Sequence, residues 1–457
     1  LARLIDPLEE AVNSGAPIPY EELVTTATAR AAELIRPLRK YAGESVFPDR
    51  RWPWASLALI AKDNPETIDW ITSRWKQLGT GSQRDTGEDS GFTEHVELFG
   101  EASQGKLDLG SIPEDLPQTM AYLALGSPAV CALRALRRVA PTLAFDDPAL
   151  MTAAAGVANA FRTMLNLPET QCLLQMTEAG DSLWEKALVY AIQGNLQATM
   201  DEYVHVLRES LGLIDHNDRE TVTEISEAIQ DALSIRTSLL YLDEFSRSRW
   251  TRRINKERFS VRCRFALRFA DIKDDSNAVL HRAGIVREAF NSPFRPFVLA
   301  STSIGQEGLD FHTYCHQVWH WNLPSNPVDL EQREGRVHRY KGHAIRKNVA
   351  EKYGIDALSK HGDPWKVLFI LAEQDREEGQ NDLVPFWLFE DMTAPYKVER
   401  IVPMLPFSKE AGRLEDLRKA LAVYRMVFGQ PRQEDILGIL AEEEYYLASM
   451  RYTYIAM

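Results

Sequence analysis

The stretch from Phe290 to His343 constrains the fold more than any other part of the chain. Phe294 to Ala300 (Phe-Arg-Pro-Phe-Val-Leu-Ala) is an apolar run that reads as a buried strand, and it passes directly into Ser301-Thr302-Ser303-Ile304-Gly305-Gln306-Glu307-Gly308-Leu309-Asp310. A strand ending in hydroxyl and glycine residues puts a hydrogen-bonding loop at the carboxyl edge of a sheet, where α/β sheets bind ligands. Gly305 and Gly308 allow close backbone approach there, and Asp310 can accept from a ribose hydroxyl or a metal-bound water. A second strand is expected over Cys315 to Leu323. A helix then opens with Asn326 as cap, Pro327 in its first turn, and Asp329 and Glu331 matched to its dipole. Continued as a helix, it carries Gln332, Arg336 and Arg339 on one face. One amide and two guanidinium forks side by side are what negative charge developing on a phosphoryl group requires.

The surroundings are mostly helical in pattern. Tyr20 to Leu38 repeats apolar residues at three- and four-residue spacing, Gly79 to Gly91 reads as a linker, and helical pattern resumes from Leu116 to about Leu233. The texture changes near Phe245, where short apolar runs begin to alternate with helices. The expected organisation is a helical N-terminal segment over 1–100 with its linker near 79–91, a helical accessory region over 101–245, an α/β lobe over 246–350, and a mainly helical region over 351–457. Within the last, Trp365 to Leu371 looks strand-like.

No apolar stretch approaches the roughly 20 residues that cross a bilayer, so no membrane is expected as a partner. The first ten residues lack the order of a signal peptide, and a start at Leu1 suggests a trimmed chain. Four scattered cysteines form no metal or disulfide framework, which fits a reducing cytoplasm. The net charge of −14 excludes a uniformly basic surface, so any nucleic-acid contact must be local. One such patch stands out. Arg247, Arg249, Arg252, Arg253, Lys256, Arg258, Arg262, Arg264 and Arg268 face the single acid Glu257, with Trp250, Phe259 and Phe265 interleaved, a composition suited to phosphate contact.

Gln332-x-x-Gly335-Arg336-x-x-Arg339, following an apolar run and a Ser-Thr-x-x-Gly-x-x-Gly-x-Asp loop, resembles motifs VI and V of superfamily 2 helicases. The lead-in Arg287-x-x-Phe290-Asn291 and the Arg-Val-His-Arg ending resemble most the Swi2/Snf2-like branch, although Glu334 and His338 depart from some branches. The resemblance implies a RecA-like lobe with a parallel sheet flanked by helices, the second of two lobes that clamp ATP and Mg²⁺ and move along nucleic acid. It implies that Arg336 and Arg339 are arginine fingers, with Gln332 at the lobe interface. Gly305, Gly308 and Asp310 would face the nucleotide. Ser301 would meet the nucleic-acid backbone with the basic segment, and Thr302 would touch that backbone or couple it to the nucleotide site.

The first lobe is expected to be missing from this chain. The nearest approach to a phosphate loop, Gly100-Glu101-Ala102-Ser103-Gln104-Gly105-Lys106-Leu107, ends in a residue that cannot hold Mg²⁺ and sets an acid against the phosphates. Leu239 to Glu244 imitates a metal-holding strand end, but Thr221 to Leu242 reads as one amphipathic helix. His312, Cys315, His316 and His320 have metal-like spacing, yet strand alternation sends them to different faces, so packing roles are expected. Trp319 and Trp321 read as core, and Arg333 and Arg346 as partners of surface acids. The expected function is ATP-driven movement on nucleic acid, DNA favoured over RNA, needing a first lobe in the same or another chain. By analogy, other subunits of a bacterial phage-defence system would be partners. The alternatives are a nucleic-acid-binding scaffold module and a regulator whose arginines act in trans.

Overall fold

The structure, a computed structural model, describes residues 1–44, 47–80, 89–176, 182–234, 238–247, 254–263, 277–300, 310–358, 363–389, 395–403 and 409–427. The chain divides into two compact units, Leu1–Ser234 and Ile235–Met457.

The first unit is helical: α1 (Pro7–Ser14), α2 (Tyr20–Ile35), α3 (Trp52–Ile60), α4 (Pro65–Thr80), α5 (Asp89–Ser103), α6 (Leu116–Gly126), α7 (Pro128–Val139), α8 (Pro148–Leu165), α9 (Pro168–Gln175), α10 (Leu183–Gln193), α11 (Leu196–Ser210) and α12 (Asp218–Leu233). Many of these helices start as their sequences dictate, with proline in the first turn and, at α1 and α8, an aspartate (Asp6, Asp147) accepting from the backbone two residues on. Periodic apolar faces on α2, α3 and α6 then close around Trp52, which is fully buried with its indole Nε1 donating to the Gly110 carbonyl at 3.0 Å. At the α6–α10 contact a side chain on Gly126 would meet the Leu188 carbonyl at 2.6 Å, so only glycine permits this approach. Arg134 of α7, 1% exposed, donates to the carbonyls of Ala2 and Ala124 and to Gln197, while Arg138 joins Asp6 to Asp201. These bonds satisfy the buried charges and lock α7 to α11 and to the start of the chain.

The second unit begins with two antiparallel strands, β1 (Ser238–Arg247) and β2 (Ile254–Cys263), in register from Ser238–Cys263 to Arg247–Ile254. The single helix expected over Thr221 to Leu242 therefore stops at Leu233, because β1 gains a ladder partner that local periodicity cannot reveal. Asp243 lies mid-ladder opposite Arg258, so Leu239 to Glu244 is not a strand end either. After α13 (Asn277–Phe290) the chain is irregular. Phe294 to Ala300 is not the expected buried strand. Phe297 and Val298 are 78% and 82% exposed, and the run has no ladder partner among the described residues.

The second expected strand exists but is shorter. β3 (Gln317–Trp319) pairs in parallel with β4 (Glu399–Ile401), and the ladder continues through Glu399 N–H to the His316 carbonyl and His320 N–H to the Ile401 carbonyl, both 2.8 Å. Alternation turns His320 inward and leaves Trp319 and Trp321 62% and 73% exposed, which corrects their expected place in the core. Between β3 and β4 come α14 (Pro327–Glu334), α15 (His343–Leu358) and α16 (Pro364–Gln374), and α17 (Glu410–Val427) follows. The strand-like Trp365 to Leu371 lies within α16. Asp363 caps it by accepting from the Lys366 N–H, and Trp365, Leu368, Phe369 and Ala372 are buried at helical spacing. Leu330 of α14 packs with Leu323 and with Leu414 and Leu417 of α17. No single helix among the described residues is long and apolar enough to cross a membrane.

Candidate functional site

Three segments of the second unit converge after α13. Asn291, just past the helix end, donates from Nδ2 to the Asp310 carbonyl at 2.8 Å, and Phe290 meets Phe311 edge to face at 5.6 Å. The Phe311 N–H donates to the Arg336 carbonyl at 2.8 Å. Arg339 then closes the arrangement, placing Nε and a terminal nitrogen each 2.9 Å from Oδ1 of Asp310. A carboxylate from the end of the Gly-rich loop and a guanidinium from the arginine segment thus share one surface. Both side chains are about half exposed, 44% for Arg339 and 49% for Asp310. A phosphate or hydroxyl of a ligand can therefore reach either one. In sequence Asn291 stands only within a lead-in motif, and spacing alone does not reveal its tie to the Asp310 backbone.

The support for the arginines differs from the expected continuous helix. Asn326 caps α14 by accepting from the Val328 N–H at 2.8 Å, with Pro327 first in the helix, as the sequence indicated. The helix ends at Glu334, where the Gly335 N–H donates to the Glu331 carbonyl and both Val337 and His338 donate to the Glu334 carbonyl. That double acceptance tightens the chain into a turn. Gln332 is exposed on the helix, while Arg336 and Arg339 stand on the turn beyond it, so the three do not form a single helical face.

Glu334 itself is held from two sides. Its carboxylate accepts from Arg400 of β4 through Nε and, at 2.6 Å, a terminal nitrogen, and it lies 3.1 Å from Nε2 of His320. Burial alone would push its carboxyl up, but hydrogen bonds and charge from Arg400 and His320 outweigh that and hold it below the usual range. Past the turn, His338 Nε2 sits 3.1 Å from the Trp387 carbonyl, and Tyr340 stacks on Phe386, which stacks on Phe369. Arg333 and Arg346 do not play the surface roles expected of them. Arg333 donates to the Asn322 carbonyl, and Arg346, 6% exposed, donates to the carbonyls of Thr313 and Lys341 between the rings of Tyr314 and Trp365.

The histidines disperse. His316 Nδ1 faces His343 Nδ1 at 3.1 Å, His320 faces Glu334, and the His312 carbonyl accepts from the His343 N–H. Burial, with Arg346 and Arg339 in support and Asp310 opposing, lowers the His312 imidazole. Among the described residues no three His, Cys, Asp or Glu side chains gather as a metal site. In the first unit, Gly100 to Ser103 form the carboxyl end of α5. Gly105, at φ +68°, donates to the Ala102 carbonyl and Lys106 to the Glu101 carbonyl. This is a helix stop in which glycine takes the left-handed conformation, whereas a phosphate loop opens a helix.

Ser301, Thr302, Gly305 and Gly308 lie outside the described residues, as do Arg249, Arg252 and Arg253. Arg247 ends β1 and Arg262 lies in β2, at backbone positions opposite Ile254 and Leu239. Neither the curated proteins nor the solved structures yielded a match to the chain. Residues 280–341 match the family model described as the helicase conserved C-terminal domain, so the stretch that runs from α13 to the turn after α14 is similar to a helicase C-terminal lobe.

Proposed function

We propose that this stretch works as the second RecA-like lobe of an ATP-driven helicase or translocase of superfamily 2, of the Swi2/Snf2-like branch. The observation that carries the reading is the Asp310–Arg339 contact, which unites the end of the Gly-rich loop with the arginine segment inside the matched region. On this reading a first lobe, in the same or another chain, holds the phosphates and Mg²⁺ of ATP. Arg336 and Arg339 meet the γ-phosphoryl oxygens as charge develops on them, Gln332 faces the first lobe, Gly308 and Asp310 face the ribose, and Gly305 faces the nucleotide. Ser301 and Thr302 contact a nucleic-acid backbone, DNA in preference to RNA, together with Arg247, Arg249, Arg252, Arg253 and Arg262. The protein acts in the cytoplasm, and a phage-defence assembly is a fitting setting by analogy alone.

The test uses the complete ATPase with the first lobe present. ATP affinity, nucleic-acid-stimulated hydrolysis and melting temperature are measured for Arg336→Lys and Arg339→Ala. Arginine fingers are worth about 10³ to 10⁵ in rate, so hydrolysis should collapse while ATP binding persists. Lysine should not rescue Arg336, since a point charge lacks the planar fork. Normal turnover in both variants would refute the reading, and unfolding of both would make the arginines structural.

A further inference from the structure

We propose that Glu334 is a positioning residue, and that the His320–Glu334–Arg400 triad sets where Arg336 and Arg339 stand. The inference rests on the proposed role of those arginines. Two of the contacts that hold helix α14 to its unit lie one turn apart on the same face, beside the bond from Arg333 to the Asn322 carbonyl. Leu330, fully buried, provides the first through apolar contact with Leu323, Leu414 and Leu417. Such contacts are non-directional, and a short helix held by them alone can roll about its axis.

Glu334 provides the second point with directional bonds, accepting from Arg400 on β4 and, at 3.1 Å, facing Nε2 of His320 beside β3. All three side chains are withdrawn from water: 1% exposed for His320, 7% for Arg400 and 17% for Glu334. Apolar groups of similar volume would stabilise a buried position as well as or better than an ion pair, so stability alone does not account for this arrangement. What charged groups add is geometry. The backbone of Glu334 supplies the link to the arginines, because its carbonyl accepts the N–H groups of both Val337 and His338. One residue therefore bolts the helix end to the two strands and forms the turn that presents Arg336. A displacement at Glu334 reaches Arg336 through two peptide units, with no helix in between to absorb it.

The experiment compares His320→Ala, Glu334→Gln and His320→Gln in the complete ATPase, with Arg336→Lys as reference. His320→Ala leaves the Glu334–Arg400 pair in place but opens a cavity at a buried site and should lower the melting temperature, so it is read against His320→Gln, which refills that site. His320→Gln offers an amide nitrogen near the position of the missing Nε2. Misplacing a catalytic group by about 1 Å costs about 10²-fold. We expect His320→Ala and Glu334→Gln to lower kcat towards that extent with KM for ATP unchanged, and His320→Gln to restore it. Hydrogen exchange at the amides of Val337 and His338 should quicken in the first two variants and recover in the third. Unchanged kcat in His320→Ala and Glu334→Gln would overturn the proposal, as would parallel losses of kcat, ATP binding and melting temperature in all three. If Arg336→Lys turns over normally, the finger assignment falls instead. The exchange readout then stands by itself, and unaltered exchange at 335–339 overturns the positioning role.

Discussion

His343 is the residue through which acid should loosen the second unit. It opens α15, its Nδ1 lies 3.1 Å from Nδ1 of His316, and its ring is 5.8 Å from that of Tyr314. Burial, then the charges of Arg346, His316 and Lys347, push its imidazole down from 6.5 to about 3. Between those values the unfolded chain binds a proton that the folded one refuses. Stability from this group is therefore complete above pH 6.5 and falls as the pH drops towards 3, by about 1.4 kcal/mol per unit. At pH 5, about 1.5 units below the unfolded value, the loss is about 2 kcal/mol. His316 is also lowered, by burial and then Lys347 against an opposing Glu399, so the pair acts in the same direction. The assay is a urea series at pH 5 to 7.5 on wild type and His343→Gln, read by hydrogen exchange on peptides from 343–358 so that this unit is followed alone. Glutamine keeps a polar group and removes the proton site, so the acid slope should flatten. An equal slope in the variant would refute the linkage and leave carboxylates as the cause.

Two further outcomes are expected from other parts of the chain. Gly126→Ala should destabilise the first unit by about 1 to 3 kcal/mol, seen as a lower melting temperature, because its methyl group would stand 2.6 Å from the Leu188 carbonyl. Reversing three arginines between Arg247 and Arg268 should weaken nucleic-acid binding and reduce the salt slope by about 0.7 to 0.9 for each phosphate no longer neutralised; an unchanged slope assigns the run to solvated surface.

What the sequence made legible was local. Asn326 and Pro327 announced α14 because capping chemistry is complete within three residues, and the apolar period of Tyr20 to Ile35 marked α2 for the same reason. The apolar run Trp365 to Leu371 fits a buried strand or a buried helix equally well, and the deciding signal, Asp363 with Pro364, stood just before it. Trp319 and Trp321 show the limit of alternation. It groups them on one face against His320 but does not say which face is inward. The triad was out of reach because Arg400 lies 66 residues from Glu334, and nothing in the sequence around either names the other. The same holds for Asn291 and Asp310, which meet only because α13 ends where it does. Of the candidate site, Asp310, Gln332, Arg336 and Arg339 fall in described residues, while the Gly-rich loop that precedes Asp310 does not.

The half-exposed pair of Asp310 and Arg339 has a consequence for selectivity among anions. Such a pair contributes no more than about 1 kcal/mol, and salt weakens it further. The carboxylate keeps the guanidinium oriented and partly neutralised. A singly charged competitor gains little by displacing it. On the proposed reading, a polyphosphate, with more negative charge and several acceptor oxygens, would displace it at small cost. Raising ionic strength should release Arg339 from Asp310 before it disturbs the buried Glu334–Arg400 pair, so the two ion pairs on this short segment respond to salt at different concentrations.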